Sequence, residues 1–382
     1  MAQSKIWRAA AKDGLIKGRF QERLNRFVVR VSLADNEVVT AYLPNPGRLH
    51  ELLLPEARLY LVKNPAGSKT GHTVLAVDRD KVPVFLHTGL TNGAARALLE
   101  NNLVPSLSSC RIVRAEVPYG RSRFDFLLEH EGRPLYLEVK SCTLYGGRVA
   151  MFPDAVTERG RRHLEELAGI AKGGTDCAVL FLVHTPNIDW FMPDYHTDLA
   201  FSRTLLDVRQ AVRTIPVTAK WTSGLELEPE SREVPVPWEH LEQEVHDRGA
   251  YILLINMKRS KSLENDGKSR IEAGWYLYLG HETADLTRRI KRHKGELKRT
   301  EAPIDRLCEK ADRTIALPVR SSQDRREAMA AGLAEIFPKA GADMERFSGP
   351  LCPLFYSETG PLTMERFHRF LEKHRMQSPD ST

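Results

Sequence analysis

Two apolar segments with charged residues at their centres constrain this chain more than any other feature. The segments R-F-D-F-L-L at 123–128 and L-Y-L-E-V-K at 135–140 flank a short polar turn, and this pattern predicts a β-hairpin. Side chains alternate along a strand, so Glu138 and Lys140 are expected on one face, with Asp125 on the neighbouring strand.

These three residues are typical of a site that binds a divalent metal ion and orients water for attack on phosphorus. Carboxylates supply the hard oxygen ligands that Mg²⁺ or Mn²⁺ prefers, and the lysine stabilises charge or orients the nucleophile. We therefore predict Asp125 and Glu138 as metal ligands and Lys140 as their catalytic partner. The alternative is an ordinary hairpin with a solvated polar face.

A helix is predicted to start within the segment F-P-D-A-V-T-E-R-G-R-R-H-L at 152–164. Either Asp154 or Thr157 can cap it. The helix would bring Arg162 and His163 towards a phosphate held by the hairpin. The alternative is a set of surface ion pairs between side chains one helical turn apart.

Four segments resemble the sugar fermentation stimulation protein (SfsA) family: P-N-P-G-R-L at 44–49, F-D-F-L-L at 124–128, L-E-V-K-S-C-T-L at 137–144 and A-M-F-P-D-A-V-T-E-R-G-R-R-H-L at 150–164. That family joins an OB-like N-terminal domain to a core similar to the PD-(D/E)xK nucleases. The resemblance implies catalytic roles for six residues: Asp125, Glu138, Lys140, Glu158, Arg159 and His163. One departure is the helix after Asn92, which usually carries acidic residues in this family and here offers only Glu100.

The third part of the chain contains a different pattern. Two apolar strands and a basic helix (G-x-Y, then Y-x-Y-x-G, then R-I-K-R-H) resemble the DUF123 branch of the GIY-YIG nucleases. The resemblance implies that Tyr251 assists a nucleophilic water, with Tyr278 beside it, that Arg289 stabilises phosphate and that Glu327 holds a metal. The usual W-H-I-D-Y-L segment is replaced by A-P-I-D-R-L, which favours a nucleic-acid-binding accessory domain over a second nuclease.

Charge also favours nucleic acid as the partner, with DNA preferred. The net charge is +6, and from Ala250 onward 24 Lys and Arg stand against 19 Asp and Glu. Clustered cations neutralise phosphates and give sequence-independent affinity; the alternative is a solvated basic helix. The predicted nucleic-acid-binding residues are Arg26, Arg48, Arg123, Arg288, Arg292 and His293.

The chain is predicted to be a multidomain α+β protein, because 382 residues exceed one ordinary domain. The four predicted parts are an OB-like β-barrel (1–85), a central α/β PD-(D/E)xK nuclease-like domain (86–228), a Pro- and Glu-rich linker (229–245) and a GIY-YIG-like α/β domain (246–375). A basic, partly aromatic face is expected on the barrel, from Arg19, Arg23, Arg26, Arg30, Phe20, Phe27 and Tyr42, although half of these are expected to be core and rim.

Composition excludes several classes of protein. No apolar run is long enough to span a bilayer, and the N-terminus lacks the apolar core of a signal peptide. Five scattered cysteines form no C-x-x-C pair, which favours reduced thiols in the cytoplasm without structural zinc. Oligomeric state cannot be predicted from the sequence.

Three functions follow from these patterns. The first is a Mg²⁺- or Mn²⁺-dependent nuclease, a phosphodiester hydrolase acting on DNA or RNA. The second is a non-catalytic DNA-binding regulator of sugar (maltose) metabolism genes, as the family name suggests. The third, a sugar-metabolism enzyme, ranks last because no nucleotide-binding glycine loop and no sugar-type carboxylate pair is present.

Overall fold

The computed structural model describes residues 5–10, 14–120, 122–262, 270–297, 302–349 and 352–381. The chain divides into two compact units. The first contains residues 1–194, 200–238 and 378–382, and the second contains residues 195–199 and 239–377. Over the described ranges, no helix is both long and apolar enough to cross a membrane.

The first unit begins with a β-barrel. After a short strand β1 (Trp7–Arg8), six strands are found in the described part of this region: β2 (Leu15–Asn25), β3 (Val28–Leu33), β4 (Val38–Tyr42), β5 (Arg58–Lys63), β6 (His72–Arg79) and β7 (Val82–Phe85). They pair in the order β4-β3-β2-β5-β6-β7, and an additional pairing of β4 with β6 closes the barrel. Phe20 is buried in the barrel core, so it is one of the residues of that predicted face that belong to the core.

The rest of the first unit is built around a mixed sheet ordered β15-β13-β10-β9-β8. The sheet contains β8 (Cys110–Tyr119), β9 (Ser122–His130), β10 (Arg133–Cys142), β13 (Asp176–Val183) and β15 (Arg213–Thr218). Strands β11 (Leu144–Gly146), β12 (Val149–Phe152) and β14 (Trp190–Pro193) form a separate three-stranded sheet, and β16 (Glu226–Leu227) pairs with β1. The helices of this region are α1 (Thr91–Glu100), α2 (Glu158–Lys172) and α3 (Leu199–Val208). Helix α1 packs on one face of the sheet and α2 on the other, so the central strands are buried on both sides.

The predicted hairpin is confirmed. Strands β9 and β10 pair antiparallel around a turn in which Glu131 and Gly132 both have positive φ, the conformation that matches the twist of a tight hairpin. The paired register of the two strands ends at Leu137 opposite Phe126, so the next residues, Glu138 and Asp125, lie where the ladder stops.

The segment 229–245 is packed, in contrast to the predicted linker. Val234 is buried in the core beneath α2, and Val236 and Trp238 pack against the same core. Glu233 accepts a hydrogen bond from the Ser106 N–H, and a helix, α4 (Trp238–Glu244), begins at Trp238. The composition favoured a linker because only a few apolar residues alternate with the prolines. Val234, Val236 and Trp238 nevertheless all pack in or against the core.

The second unit contains a sheet ordered β21-β17-β20-β22. Its elements in the described residues are β17 (Gly249–Met257), β18 (Lys261–Ser262), β19 (Arg270–Ile271), β20 (Gly274–Glu282), α5 (Leu286–His293), α6 (Pro303–Lys310), β21 (Arg313–Arg320), α7 (Arg326–Ile336), β22 (Phe355–Ser357) and α8 (Glu365–Arg375). Alternate residues of β17 pack against α5 and α6 on one face and against α7 and α8 on the other. This arrangement explains why β17 is apolar at nearly every position.

Candidate functional site

The centre of the first unit's site is the carboxylate of Glu138, which is only 5% exposed. Lys140 Nζ donates to Glu138 Oε1 at 2.6 Å, so the two side chains share a face as predicted. His163 Nδ1, from α2, lies 2.5 Å from the same oxygen. Glu138 Oε2 is buried and has no hydrogen-bond partner among the described residues.

Asp125 is held by two donors from different elements. Its Oδ2 accepts the Val139 N–H at 2.7 Å, and its Oδ1 accepts the side-chain amide of Asn92 at 2.7 Å. Helix α1 therefore supplies an amide at the point where an acidic residue was expected. Glu100, at the other end of that helix, pairs with Arg96 on the surface.

Helix α2 positions the support for Glu138. Thr157 is its N-cap, because the Thr157 hydroxyl accepts the Gly160 N–H at 3.0 Å. Arg159 Nε donates to His163 Nε2 at 3.4 Å, which places the His163 proton on Nδ1, facing Glu138. Glu158 is exposed in the first turn, and among the described residues it makes no contact with this network, unlike Arg159 and His163.

The two carboxyl groups have different electrostatic environments. Burial, followed by the charge of Glu138, raises the pKa of Asp125 to about 6, although the Val139 N–H, Asn92 and Lys140 act in the opposite direction. Burial would also raise the pKa of Glu138, but the hydrogen bond from His163 and the charge of Lys140 outweigh it and lower that pKa. Glu138 is thus held ionised beside a carboxyl group that retains its proton more readily.

A cleft of about 340 Å³ opens beside Lys140. One wall comes from the central region and includes Asn92, Lys140 and Arg159, while the other comes from the barrel and includes Arg26 and the loop at 44–47. The sequence-predicted residues Arg26, Lys140 and Arg159 are therefore brought together, although they are far apart in the chain.

The barrel loop is fixed against the central region by a close contact. A Cβ atom on Gly47 would overlap the carboxylate of Asp154, so only glycine allows this approach. The Asn45 side chain accepts the Gly47 N–H at 2.9 Å and donates to the Leu86 carbonyl at 3.1 Å. Burial raises the pKa of Asp154, while the Leu49 N–H and the charge of Arg48 oppose that rise.

The other predicted basic residues of the first unit are on the surface. Arg48 is exposed on the same loop as Gly47. Arg123 is exposed at the start of the hairpin and pairs with Glu116 at 2.8 Å. Arg23, by contrast, donates hydrogen bonds to the carbonyls of Arg26, Asn45 and Arg48, and these bonds hold the loop in place.

The second unit contains a pocket of about 140 Å³. It is lined by the predicted residues Tyr251, Tyr278 and Arg289, together with Glu282 and Arg326. Arg289 Nε lies 3.2 Å from Glu282 Oε1. Among the described residues, Glu282 is the carboxylate on this pocket, whereas Glu327 is exposed at the start of α7, so the predicted role of Glu327 does not fit its position.

A buried chain of hydrogen bonds lies behind this pocket. The Tyr251 hydroxyl lies 2.8 Å from His293 Nε2, and His293 Nδ1 lies 2.6 Å from Asp305 Oδ1. Burial is the largest cause that raises the pKa of Tyr251 and of Tyr278, so both phenols keep their protons. A Cβ atom on Gly280 would overlap the Tyr251 ring, which explains the glycine in the Y-x-Y-x-G pattern.

The predicted nucleic-acid-binding residues of helix α5 differ in their exposure. Arg288 is exposed and Arg292 is half-buried. His293 is 0% exposed, so the prediction that it contacts nucleic acid is wrong. Its position follows from the helical period, because His293 shares the inward face with Leu286 and Ile290.

Three residues of these sites were missed from sequence. Asn92 and Asp154 each stand near a helix start, where their types predict capping, so no local signal marked a second role. Asp305 lies in the segment that departs from the expected pattern, and its contact with His293 depends on the packing of α6 against α5.

Known proteins share this architecture of an OB barrel joined to a mixed α/β region. Three family models match the chain: the SfsA N-terminal OB domain at residues 22–86, the sugar fermentation stimulation protein RE domain at 89–224 and the domain of unknown function DUF123 at 250–348. The sugar fermentation stimulation protein homolog of Methanothermobacter thermautotrophicus is 41% identical over 205 residues, which cover 53% of this chain and 85% of that protein.

Two further matches agree with this assignment. The homolog of Gloeobacter violaceus is 37% identical over 194 residues, covering 50% of this chain and 82% of that protein. Among solved structures, Pyrococcus furiosus SfsA in complex with Ca²⁺ is 29% identical with a TM-score of 0.55, covering 61% of this chain and 99% of that chain. This chain belongs to the sugar fermentation stimulation protein family, and it carries a DUF123 region in addition.

Proposed function

We propose that this protein is a divalent-metal-dependent nuclease that hydrolyses phosphodiester bonds, with DNA as the favoured substrate. The observation that carries the proposal is the buried carboxylate of Glu138, which has one oxygen held by His163 and Lys140 and the other without a hydrogen-bond partner among the described residues. A buried anionic oxygen of this kind is costly unless something positive binds it.

The residues fit a hard divalent cation. Asp125 and Glu138 are close enough for the charge of one to raise the pKa of the other, and a bound cation would relieve that repulsion. Among the described residues, no group of three or more His, Cys, Asp and Glu side chains is arranged to hold a metal. Mg²⁺ is commonly bound through one or two carboxylates with several waters retained, so two carboxylates suffice. The similar Pyrococcus furiosus protein was solved with Ca²⁺, which supports the same inference.

Each residue then has a defined task. A bound divalent cation would supply Lewis-acid stabilisation of the phosphate charge and would lower the pKa of water. Lys140 places a positive charge on the wall of the cleft, where charge develops during hydrolysis. His163 and Arg159 orient Glu138, and Asn92 and the Val139 N–H orient Asp125.

A cleavage assay tests the proposal directly. Labelled single- and double-stranded DNA and RNA are incubated with Mg²⁺, Mn²⁺ or EDTA and with the wild type, Glu138→Gln or Tyr251→Phe. Glu129→Gln is the matched control, because Glu129 lies on the same hairpin and pairs with Arg111 at the surface. We expect metal-dependent cleavage that is lost only in Glu138→Gln, with nucleic-acid binding retained.

The alternative function is a non-catalytic DNA-binding regulator of sugar (maltose) metabolism genes. The amide of Asn92 favours it, because it contacts Asp125 in place of the additional carboxylate that a catalytic metal site often uses. A wild-type protein that binds DNA but never cleaves it, with any of the metals, would support the regulator and exclude the nuclease.

We infer that the second unit binds nucleic acid without cleaving it. Tyr251 is buried and keeps its proton, and the pocket carboxylate of Glu282 is paired with Arg289. Arg288 remains exposed on α5 as a phosphate contact. Arg288→Ala should weaken binding to all sequences and reduce the slope of log K against log salt concentration by about one. Arg313→Ala, at another exposed arginine, is the control and should change neither.

A further inference from the structure

The barrel carries an exposed aromatic pair beside the cleft. Phe27 and Tyr42 are each 41% exposed, and their ring centroids are 6.4 Å apart. Phe27 lies in the turn before β3 and Tyr42 is the last residue of β4, and the Leu43 N–H donates to the Phe27 carbonyl at 2.8 Å. The backbone pairing therefore holds both rings at the surface, close to each other.

A cation connects this pair to the cleft. The Arg26 guanidinium lies 5.7 Å from the Phe27 ring centroid, and Arg26 also lines the cleft that contains Lys140 and Arg159. Arg26 Nε donates to the Pro46 carbonyl at 3.1 Å, which fixes the side chain against the loop. No ion pair to Arg26 is found within the described residues, so its charge is available to a phosphate.

The other three arginines predicted for this face of the barrel are already engaged. Arg19 pairs with Glu56, Arg30 pairs with Glu22, and Arg23 is bonded to three carbonyls. The predicted basic and aromatic face is thereby reduced to Arg26, Phe27 and Tyr42. These three lie together, next to the cleft and not around the whole barrel.

We propose that Phe27, Tyr42 and Arg26 form a track that guides unpaired nucleotides into the cleft, so that the substrate is single-stranded nucleic acid. The proposal rests on the proposed function, because it names the substrate of the same cleft. Aromatic side chains stack on base faces, and in a duplex those faces are already covered by neighbouring base pairs. The cleft beside these residues, of about 340 Å³, is near the lower end of the range for small-ligand pockets.

Binding measurements with the full chain test the track. The Glu138→Gln protein binds a labelled single strand and a blunt duplex of the same sequence, each as DNA and as RNA, and it is compared with the same protein carrying Phe27→Ala and Tyr42→Ala. We expect single-strand affinity to fall about 5- to 150-fold, as the loss of base stacking predicts, with duplex affinity unchanged. The DNA and RNA arms show which single strand is preferred.

Two controls separate stacking from lost apolar surface and from misfolding. Val38→Ala truncates another exposed apolar residue of β4, and it should leave binding unchanged. The Phe27→Leu, Tyr42→Leu protein keeps apolar side chains but loses the flat rings, and it should lose single-strand affinity like the alanine variant. Equal affinity of the parent and both double variants for single strands would overturn the track.

The outcomes also distinguish this proposal from the proposed function. If the wild type cleaves single strands and duplexes equally and the aromatic variants cleave like the wild type, the nuclease stands and the track is wrong. If the wild type never cleaves but binds single strands through the two rings, the track stands and the nuclease is wrong.

Discussion

The two candidate sites use the same pair of groups in opposite order. In the first unit, His163 contacts the buried Glu138 carboxylate, and Lys140, which lines the cleft, donates to the same carboxylate oxygen. In the second unit, the Asp305 carboxylate stands behind His293, and the imidazole contacts the Tyr251 hydroxyl. A buried histidine–carboxylate pair therefore does not by itself indicate which chemistry a site performs.

The difference determines which atom each site presents. The first unit presents a carboxylate oxygen, a hard anionic ligand that suits a divalent cation. The second presents a phenol whose hydrogen bond to His293 suits proton transfer or phosphate contact, with its pKa raised by burial. We therefore expect metal dependence to be confined to the first unit.

The largest expected effect comes from removing the positively charged side chain of each site, which is Lys140 in the first unit and Arg289 in the second. Lys140→Met should reduce metal-dependent hydrolysis about 10²- to 10³-fold, the range for loss of one charge-stabilising group. Arg289→Met, in the second unit, should leave hydrolysis unchanged. Single-turnover cleavage at saturating Mg²⁺ measures both. Similar losses in the two variants would contradict the assignment of the chemistry to the first unit.

Replacing the histidine of each site in turn should show that only one of the two sites depends on it for metal affinity. His163→Asn removes the group that orients Glu138, and the affinity for Mn²⁺ should fall about 10- to 100-fold, as for other residues that support metal ligands. His293→Asn should leave Mn²⁺ affinity unchanged. Titration calorimetry at constant pH provides the measurement, with the melting temperature of each variant as a check on folding. An equal loss of Mn²⁺ affinity in both variants would show that metal binding is not confined to the first unit.

Each site also depends on one glycine, which gives a test of their independence. Gly47→Ala should push the barrel loop away from Asp154, and Gly280→Ala should displace the Tyr251 ring. Overpacking of this kind costs about 1–3 kcal/mol of unfolding free energy. In a urea titration, Asp154→Ala should restore stability to the Gly47→Ala protein but not to the Gly280→Ala protein. If Asp154→Ala restored the stability of both glycine variants, the packing of the two sites would not be independent.

Sequence patterns predicted the local parts of both sites and few of their long-range contacts. The period of two placed Glu138 beside Lys140, and the family motif indicated that Asp125 and His163 belong with them. The contact of Asn92 with Asp125 depends on how α1 lies on the sheet, which no short segment encodes. The cleft wall formed by Arg26 likewise depends on packing between the barrel and the central sheet.

Wrong predictions arose where residue type was ambiguous about direction. Phe20 and Phe27 are both aromatic residues predicted for one barrel face, yet Phe20 in β2 is in the barrel core and Phe27 in the turn before β3 is exposed. His293 belongs to a basic run, but the helical period turns it inward while Arg288 faces out. Composition identifies a basic or aromatic region, and only the three-dimensional register determines which of its members reach a ligand.

The smallest expected effect concerns a third buried histidine, His184, which has no carboxylate partner among the residues that the structure describes. It accepts the Trp221 indole N–H on Nδ1 and lies 3.0 Å from the Ser141 hydroxyl through Nε2, and burial lowers its pKa from 6.5 to about 3. Between these values the unfolded chain binds a proton at this position and the folded chain does not, so stability falls as the pH drops below 6.5. The decrease is about 1.4 kcal/mol per pH unit. Urea titrations of the wild type and His184→Gln from pH 7.5 to 5.5 should show a steeper decline in the wild type. Parallel declines would show that the protonation of His184 does not contribute to the pH dependence of stability.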